Sequence, residues 1–129
     1  MSKEVVRTEA APAPFQGAPY SQAIKANGFV FVSGQLALRP GATELVPGDI
    51  TDQTEQVLAN LQAILEASGT SLANVVKTTV FLQNLADFPG MNAVYAKHLG
   101  EAPPARSTIE VAKLPSGALV EIEAVATLT

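Results

Sequence analysis

The chain predicts an α+β fold, a mixed β-sheet with two helices packed on one face. Three observations carry this expectation. Residues 52–68 and about 87–99 keep apolar side chains at helical spacing, the segments around them are rich in β-branched residues, and Asn27-Gly28 joins two short strand-like runs. The element order is β-β-α-β-α-β-β. The 129 residues suffice for one domain with a genuine core, and residues 1–18, rich in Ala and Pro, form a partly ordered lead-in.

The elements follow in order. "SQAIKANGFVFVSGQLAL" gives two strands, because Asn-Gly is the favoured dipeptide of a type I′ hairpin turn. "RPGATELVPGD" is a loop. In the first helix Val57, Leu58, Leu61, Ile64 and Leu65 share a face, with Thr51 as N-cap and Gly69 as terminator. "VVKTTVFLQ" (75–83) is a strand by its β-branched content. The second helix runs from about Asp87 to Leu99, with Pro89 in its first turn, Phe88, Met91, Tyr95 and Leu99 inward, and Gly100 as its stop. Two last strands, about 105–112 and 119–128, flank the turn "KLPSGA". Phe29 and Phe31 alternate with Val30 and Val32, so the strands are apolar on both sides. With the helices on one face, the other is expected to be covered by a second subunit in a closed assembly.

Composition narrows the function classes. Apolar residues make up 47% and charged residues only 16%, which is low for a small monomer and again points to an oligomer. No apolar run approaches the ~20 residues of a membrane helix. The chain has no cysteine and one histidine, His98, which excludes thiolate chemistry and disfavours a His-based metal site or triad. His98 lies near a helix C-terminus, where a favourable dipole partner is the simpler reading. The first 21 residues lack the apolar core of a secretory signal, so the cytoplasm is the expected compartment. Net charge is −4 and the eight Lys and Arg are scattered, which argues against a nucleic-acid surface.

One constellation could carry chemistry. In "PPARSTIEV", Pro103-Pro104 hold the approach extended, so Arg106 enters its strand from a rigid start. Strand parity puts Arg106, Thr108 and Glu110 on one face. In the last strand Glu121 and Glu123 oppose the apolar Val120, Ile122, Ala124 and Ala126. If the two strands form a hairpin, Arg106 and the glutamates line one side of the sheet. Structural ion pairing with Lys77 or Arg106 is one reading of these carboxylates, and a ligand site is the other. Ser33-Gly34 ends a buried strand, where Gly34 marks a bulge or lets backbone amides approach an anion. Tyr20 is either a core aromatic or a pocket wall. Asn92 is by default a polar residue on the surface of the second helix.

Taken together, "APYSQAI…FVFVSGQLAL…GDITDQTEQVLANLQAIL…VVKTTVFLQNLADFPGMNAVYAKHL…PPARSTIEVAKLPSGALVEIEAVA" closely resembles the Rid family of reactive intermediate deaminases, also called RidA or YjgF-like, from about residue 18 to 127. The resemblance implies a chorismate-mutase-like fold, a homotrimer, and ligand pockets in the clefts between subunits. It implies hydrolysis of 2-imino acids, the tautomers of 2-aminoacrylate-type enamines, to 2-keto acids and ammonia, with no cofactor and no metal. In the matching blocks Arg106 takes the position of the carboxylate clamp, and Glu121 that of the residue that orients or deprotonates water. Tyr20, Ser33, Gly34 and Asn92 fall on pocket-lining positions. Two departures stand out. Thr108 replaces the cysteine many relatives carry, which keeps a hydroxyl donor but removes thiol reactivity. Ala18 is an insertion in "FQGAPYSQA" that could shift Tyr20.

The resemblance leaves other functions to weigh against a broad imine deaminase. One is a pathway-specific step such as 2-aminomuconate deamination. Another is a carboxylate-binding regulator or chaperone using the same cleft without turnover. A third is the ribonuclease activity of some relatives, which the acidic composition disfavours.

Overall fold

A computed structural model describes residues 2–129. The strands are β1 (Glu4–Val6), β2 (Ala23–Ala26), β3 (Phe29–Gln35), β4 (Val75–Leu82), β5 (Ala105–Glu110) and β6 (Val120–Thr127). The helices are α1 (Ile50–Ala67) and α2 (Phe88–Leu99). The six strands form one sheet in the order β1-β2-β3-β6-β4-β5. The expected α+β architecture is therefore observed, with one more strand: Glu4–Val6 pairs antiparallel with β2 inside the stretch expected as a lead-in.

The β2–β3 hairpin turns at Asn27 and Gly28, with φ of +56° and +83°, the positive values a type I′ turn demands of both central residues. β6 lies antiparallel between β3 and β4, so these two strands run parallel to one another with α1 as their connection. β4 and β5 pair in parallel, which no tight turn can join; α2 is the crossover. This corrects the hairpin considered for the last two strands: β4 separates β5 from β6.

α1 starts earlier than its periodicity implied. Its N-cap is Asp49, not Thr51, in a capping box: the Asp49 carboxylate accepts from the amides of Thr51 and Asp52 at 3.0 and 3.3 Å, and the Asp52 carboxylate accepts from the Asp49 amide at 3.0 Å. Gly69, at φ +91°, follows the C-cap Ser68 in the left-handed conformation that ends many helices. Both helices cover one face of the sheet. Leu58, Leu61, Ile64, Leu65 and Met91 are fully buried there against Val30, Val80, Leu82 and Ile122. The other face is open in the single chain, with Phe31 and Ile109 each 46% exposed and Phe29 beside Phe31. No helix among the described residues is long and apolar enough to cross a membrane.

Candidate functional site: two half-sites on opposite faces of the sheet

The first group forms where β3 meets β6. Val32 pairs with Ala124 and Gln35 with Ile122, so three steps on β3 face two on β6 and a bulge falls at Ser33-Gly34. The missing side chain of Gly34 is what admits Glu121: a Cβ at this position would overlap the Glu121 carboxylate. Bulge and close approach are thus the same feature. Ser33 is held by its amide, which donates to the Gln22 carbonyl at 3.0 Å, and by its hydroxyl, which donates to the Ser21 carbonyl at 2.6 Å. Tyr20 is 42% exposed, a wall and not a core residue, and its hydroxyl oxygen accepts from the Phe15 amide. Ala18 is extended between the turn at 15–17 and Tyr20, and Tyr20 still reaches the cleft. These residues enclose a cleft of about 420 Å³ that also touches Glu123.

Glu121 is half-buried, and that desolvation raises its carboxyl pKa above the ordinary value; the negative charge of Glu123 adds to the rise. The ion pairs found among the described residues are Lys25–Glu4, Lys97–Glu55 and His98–Glu55, so neither Glu121 nor Glu123 has a cationic partner among them. Lys77 donates instead to the Thr78 carbonyl and the Ser107 hydroxyl, each at 3.2 Å. Structural ion pairing does not account for these carboxylates.

Arg106 belongs to a second group. It leaves Pro103-Pro104, enters β5 in register with Thr78, and lies on the helix side of the sheet. Its guanidinium carbon sits 4.8 Å from the Tyr95 ring centroid and 5.4 Å from that of Phe88. Tyr95 is fixed in turn, because its hydroxyl and that of Thr78 hydrogen-bond at 2.7 Å. Arg106 forms no ion pair among the described residues. Its fork faces an open groove shared with Asn92, Tyr95, Pro103 and Pro104. Thr108 lies on the same face, opposite Val80, with its buried hydroxyl oxygen lacking a hydrogen-bond partner.

Register separates the two groups. Glu121 pairs with Phe81 and Glu123 with Thr79, whereas Arg106 pairs with Thr78 and Thr108 with Val80. Neighbouring residues of one strand point to opposite faces. Glu121 and Arg106 therefore lie on opposite faces of the sheet, which corrects the expectation that they could share a side. Tyr20, Ser33, Gly34 and Glu121 come together; Arg106, Asn92 and Thr108 are placed elsewhere.

Two structural residues escaped the sequence reading. Gln22, 4% exposed, hydrogen-bonds the backbone of residues 8–12. Asn60, 1% exposed, donates to the carbonyls of Leu36 and Leu38 at 3.1 and 2.8 Å and fixes the chain leaving β3. A signal existed for Asn60, a polar residue on the apolar stripe between Val57 and Ile64. Gln22 offered none beyond its place beside Ser21. Among the described residues no three of His, Asp and Glu gather as a metal-ligand group.

The geometry can be set beside known proteins. The Endoribonuclease L-PSP family model matches residues 8–128. A RutC family protein of Pyrococcus horikoshii is 55% identical over 124 residues, covering 96% of this chain and 97% of that protein. Reactive Intermediate Deaminase A of Arabidopsis thaliana, a chloroplastic protein, is 54% identical over 128 residues, 99% of this chain and 67% of its own length. The crystal structure of yeast Mmf1 superposes with a TM-score of 0.94 at 43% identity, covering 99% of this chain and all of that one. Matches that span strands, helices and both half-sites leave one assignment: the chain belongs to the Endoribonuclease L-PSP family, that of the YjgF, RidA and Rid proteins.

Proposed function

We propose that the protein is a cofactor-independent deaminase that hydrolyses 2-imino acids, formed from 2-aminoacrylate-type enamines, to 2-keto acids and ammonia, in a cleft assembled between subunits of a homotrimer. The observation that carries this reading is the split site. A rigid, uncommitted guanidinium lies on one face of the sheet, and an uncommitted, partly desolvated carboxylate lies in a cleft on the other. Each is half of a site for a small anion that must also meet a water molecule. One chain cannot close its own two halves around one substrate, so neighbouring copies supply them. The open apolar sheet face gives those copies a reason to associate.

In this reading Arg106 grips the substrate carboxylate with two parallel hydrogen bonds. Tyr95 and Phe88 hold the fork in place, so little rotamer freedom is lost on binding. Glu121 takes a proton from water as the water oxygen attacks C2 of the protonated imine. The resulting tetrahedral carbinolamine accepts that proton on nitrogen; as its C–N bond breaks and ammonia leaves, the Glu121 carboxylate takes the hydroxyl proton and the 2-keto acid remains. A carboxylate raised toward neutral pH is a better base for this than an ordinary one. Positioning supplies much of the rate, because imines already hydrolyse in water. The Arabidopsis relative, by name a Reactive Intermediate Deaminase, supports the reading.

The test generates imines in situ with an amino-acid oxidase or threonine dehydratase and lets semicarbazide compete for them. Wild type should suppress semicarbazone formation and Arg106→Ala should not. Absence of suppression with every amino-acid precursor would remove the deaminase reading and leave a pathway-specific or ligand-binding role.

A further inference from the structure

The cleft beside Glu121 has a sheet floor and a second wall, Pro12–Phe15, that belongs to no strand or long helix. Such a segment should be loose, because two of its four residues are prolines without amide donors. Its carbonyls still need partners once they are covered. The carbonyls of Pro14 and Phe15 accept from the amides of Gly17 and Ala18, while Pro12 and the residues leading into the wall are held by Gln22. Its side-chain amide nitrogen donates to the carbonyls of Pro12, Thr8 and Ala11 at 2.7, 3.0 and 3.3 Å, and its oxygen accepts from the Thr8 amide at 2.7 Å. Three acceptors at one end and a donor at the other leave a single orientation for the amide. The Gln22 main-chain carbonyl meanwhile accepts from the Ser33 amide at 3.0 Å. One residue thus ties the wall to the floor at the point where the cleft begins.

We infer that Gln22 is a positioning residue for substrate selection: by holding Pro12–Phe15 at a fixed distance from Ser33-Gly34, it sets how much of the substrate side chain the protein can grip. This rests on the deaminase reading for its substrate and extends it to side-chain preference. Phe15 and Pro12 face the cleft with Leu36 and Leu38, an apolar lining suited to aliphatic groups. An ordered wall gives each added methylene a contact. A wall that must first be ordered gives that contact up, while the shortest side chain never reaches it.

Gln22→Met keeps the length of the side chain and removes all four hydrogen bonds. The ratio of KM for the leucine-derived imine to that for the alanine-derived imine should rise by about tenfold, the worth of nearly two buried methylenes, with kcat for the alanine-derived imine unchanged. Phe15→Ala should reproduce that length dependence with the staple intact. Equal losses for both imines, or none, in Gln22→Met would overturn the inference, as would an unaltered ratio in Phe15→Ala. A second readout needs no turnover. Amide exchange at Thr8 and Phe15 should accelerate in Gln22→Met, and titration with 2-keto acids of increasing length should lose affinity only for the long ones. That pair of results supports the staple even in a protein that hydrolyses no imine, whereas unchanged exchange at Thr8 removes it.

Discussion

Arg106 has no carboxylate partner among the described residues, so the proposed binding of a substrate carboxylate breaks no ion pair there. Removing a charge-assisted contact worth about 1.5–3 kcal/mol should cost Arg106→Ala about 10- to 150-fold in kcat/KM. Arg106→Lys should recover little, since a point charge cannot match a planar fork stacked on Tyr95. Glu121 makes two pH predictions. Burial first, and the Glu123 charge second, hold its folded pKa above the ordinary value. The favourable contribution of such a group is complete below the unfolded pKa and is lost as pH rises through the folded one. Glu121→Gln should therefore melt higher than wild type at neutral pH, and the gap should close in acid, in thermal unfolding at one protein concentration. An unchanged gap between acid and neutral pH would show that Glu121 is not desolvated. The acid limb of kcat/KM should also lie above that of an ordinary glutamate and move to lower pH in Glu123→Gln, which removes the repelling charge. A limb that stays in place would assign the titration to another group.

At the scale of elements, α1 depends on a cap that periodicity did not locate. Asp49→Ala deletes the carboxylate that accepts from the Thr51 and Asp52 amides, leaves the Asp52 half of the capping box, and should destabilise the fold by about 1 kcal/mol in denaturant unfolding, with the oligomer and the activity intact. A loss below the scatter of the measurement would mean that solvent satisfies the first turn equally well. Thr51 reads as a cap because it places Asp52 in the first turn, but Asp49 caps the same turn two residues earlier. Local chemistry was otherwise readable: Asn27-Gly28 announced its turn, and Val75–Leu82 its strand. Parity within β5 and β6 was also readable, and Arg106 does share a face with Thr108. The neighbours of each strand were not, because pairing β5 with β4 depends on where α2 packs, a contact remote in sequence. One missed partner reversed the relation between Arg106 and Glu121. Glu4–Val6 was missed for a different reason: three residues between charged neighbours carry no period, and β2 alone makes them a strand.

The whole molecule inherits the division made by β4. With Glu121 and Arg106 on opposite faces, the proposed site in a closed ring takes its arginine from one subunit and its glutamate from the next. Complementation follows from this arrangement. Arg106→Ala and Glu121→Gln proteins, each strongly impaired alone, should regain activity when unfolded together and refolded as mixed assemblies. In a random equal mixture about one site in four receives its arginine from a Glu121→Gln subunit and its glutamate from an Arg106→Ala subunit, so about a quarter of wild-type activity should return. The double variant refolded with wild type tests the same geometry in the other direction, since it yields intact sites only where two wild-type subunits meet. If both halves acted within one chain, that second mixture would give about half of wild-type activity and the first would give no more than the two variants give alone. The same experiment separates the trimer from the chemistry: mixed assemblies that form without activity would keep the shared interface and remove the pairing of Arg106 with Glu121.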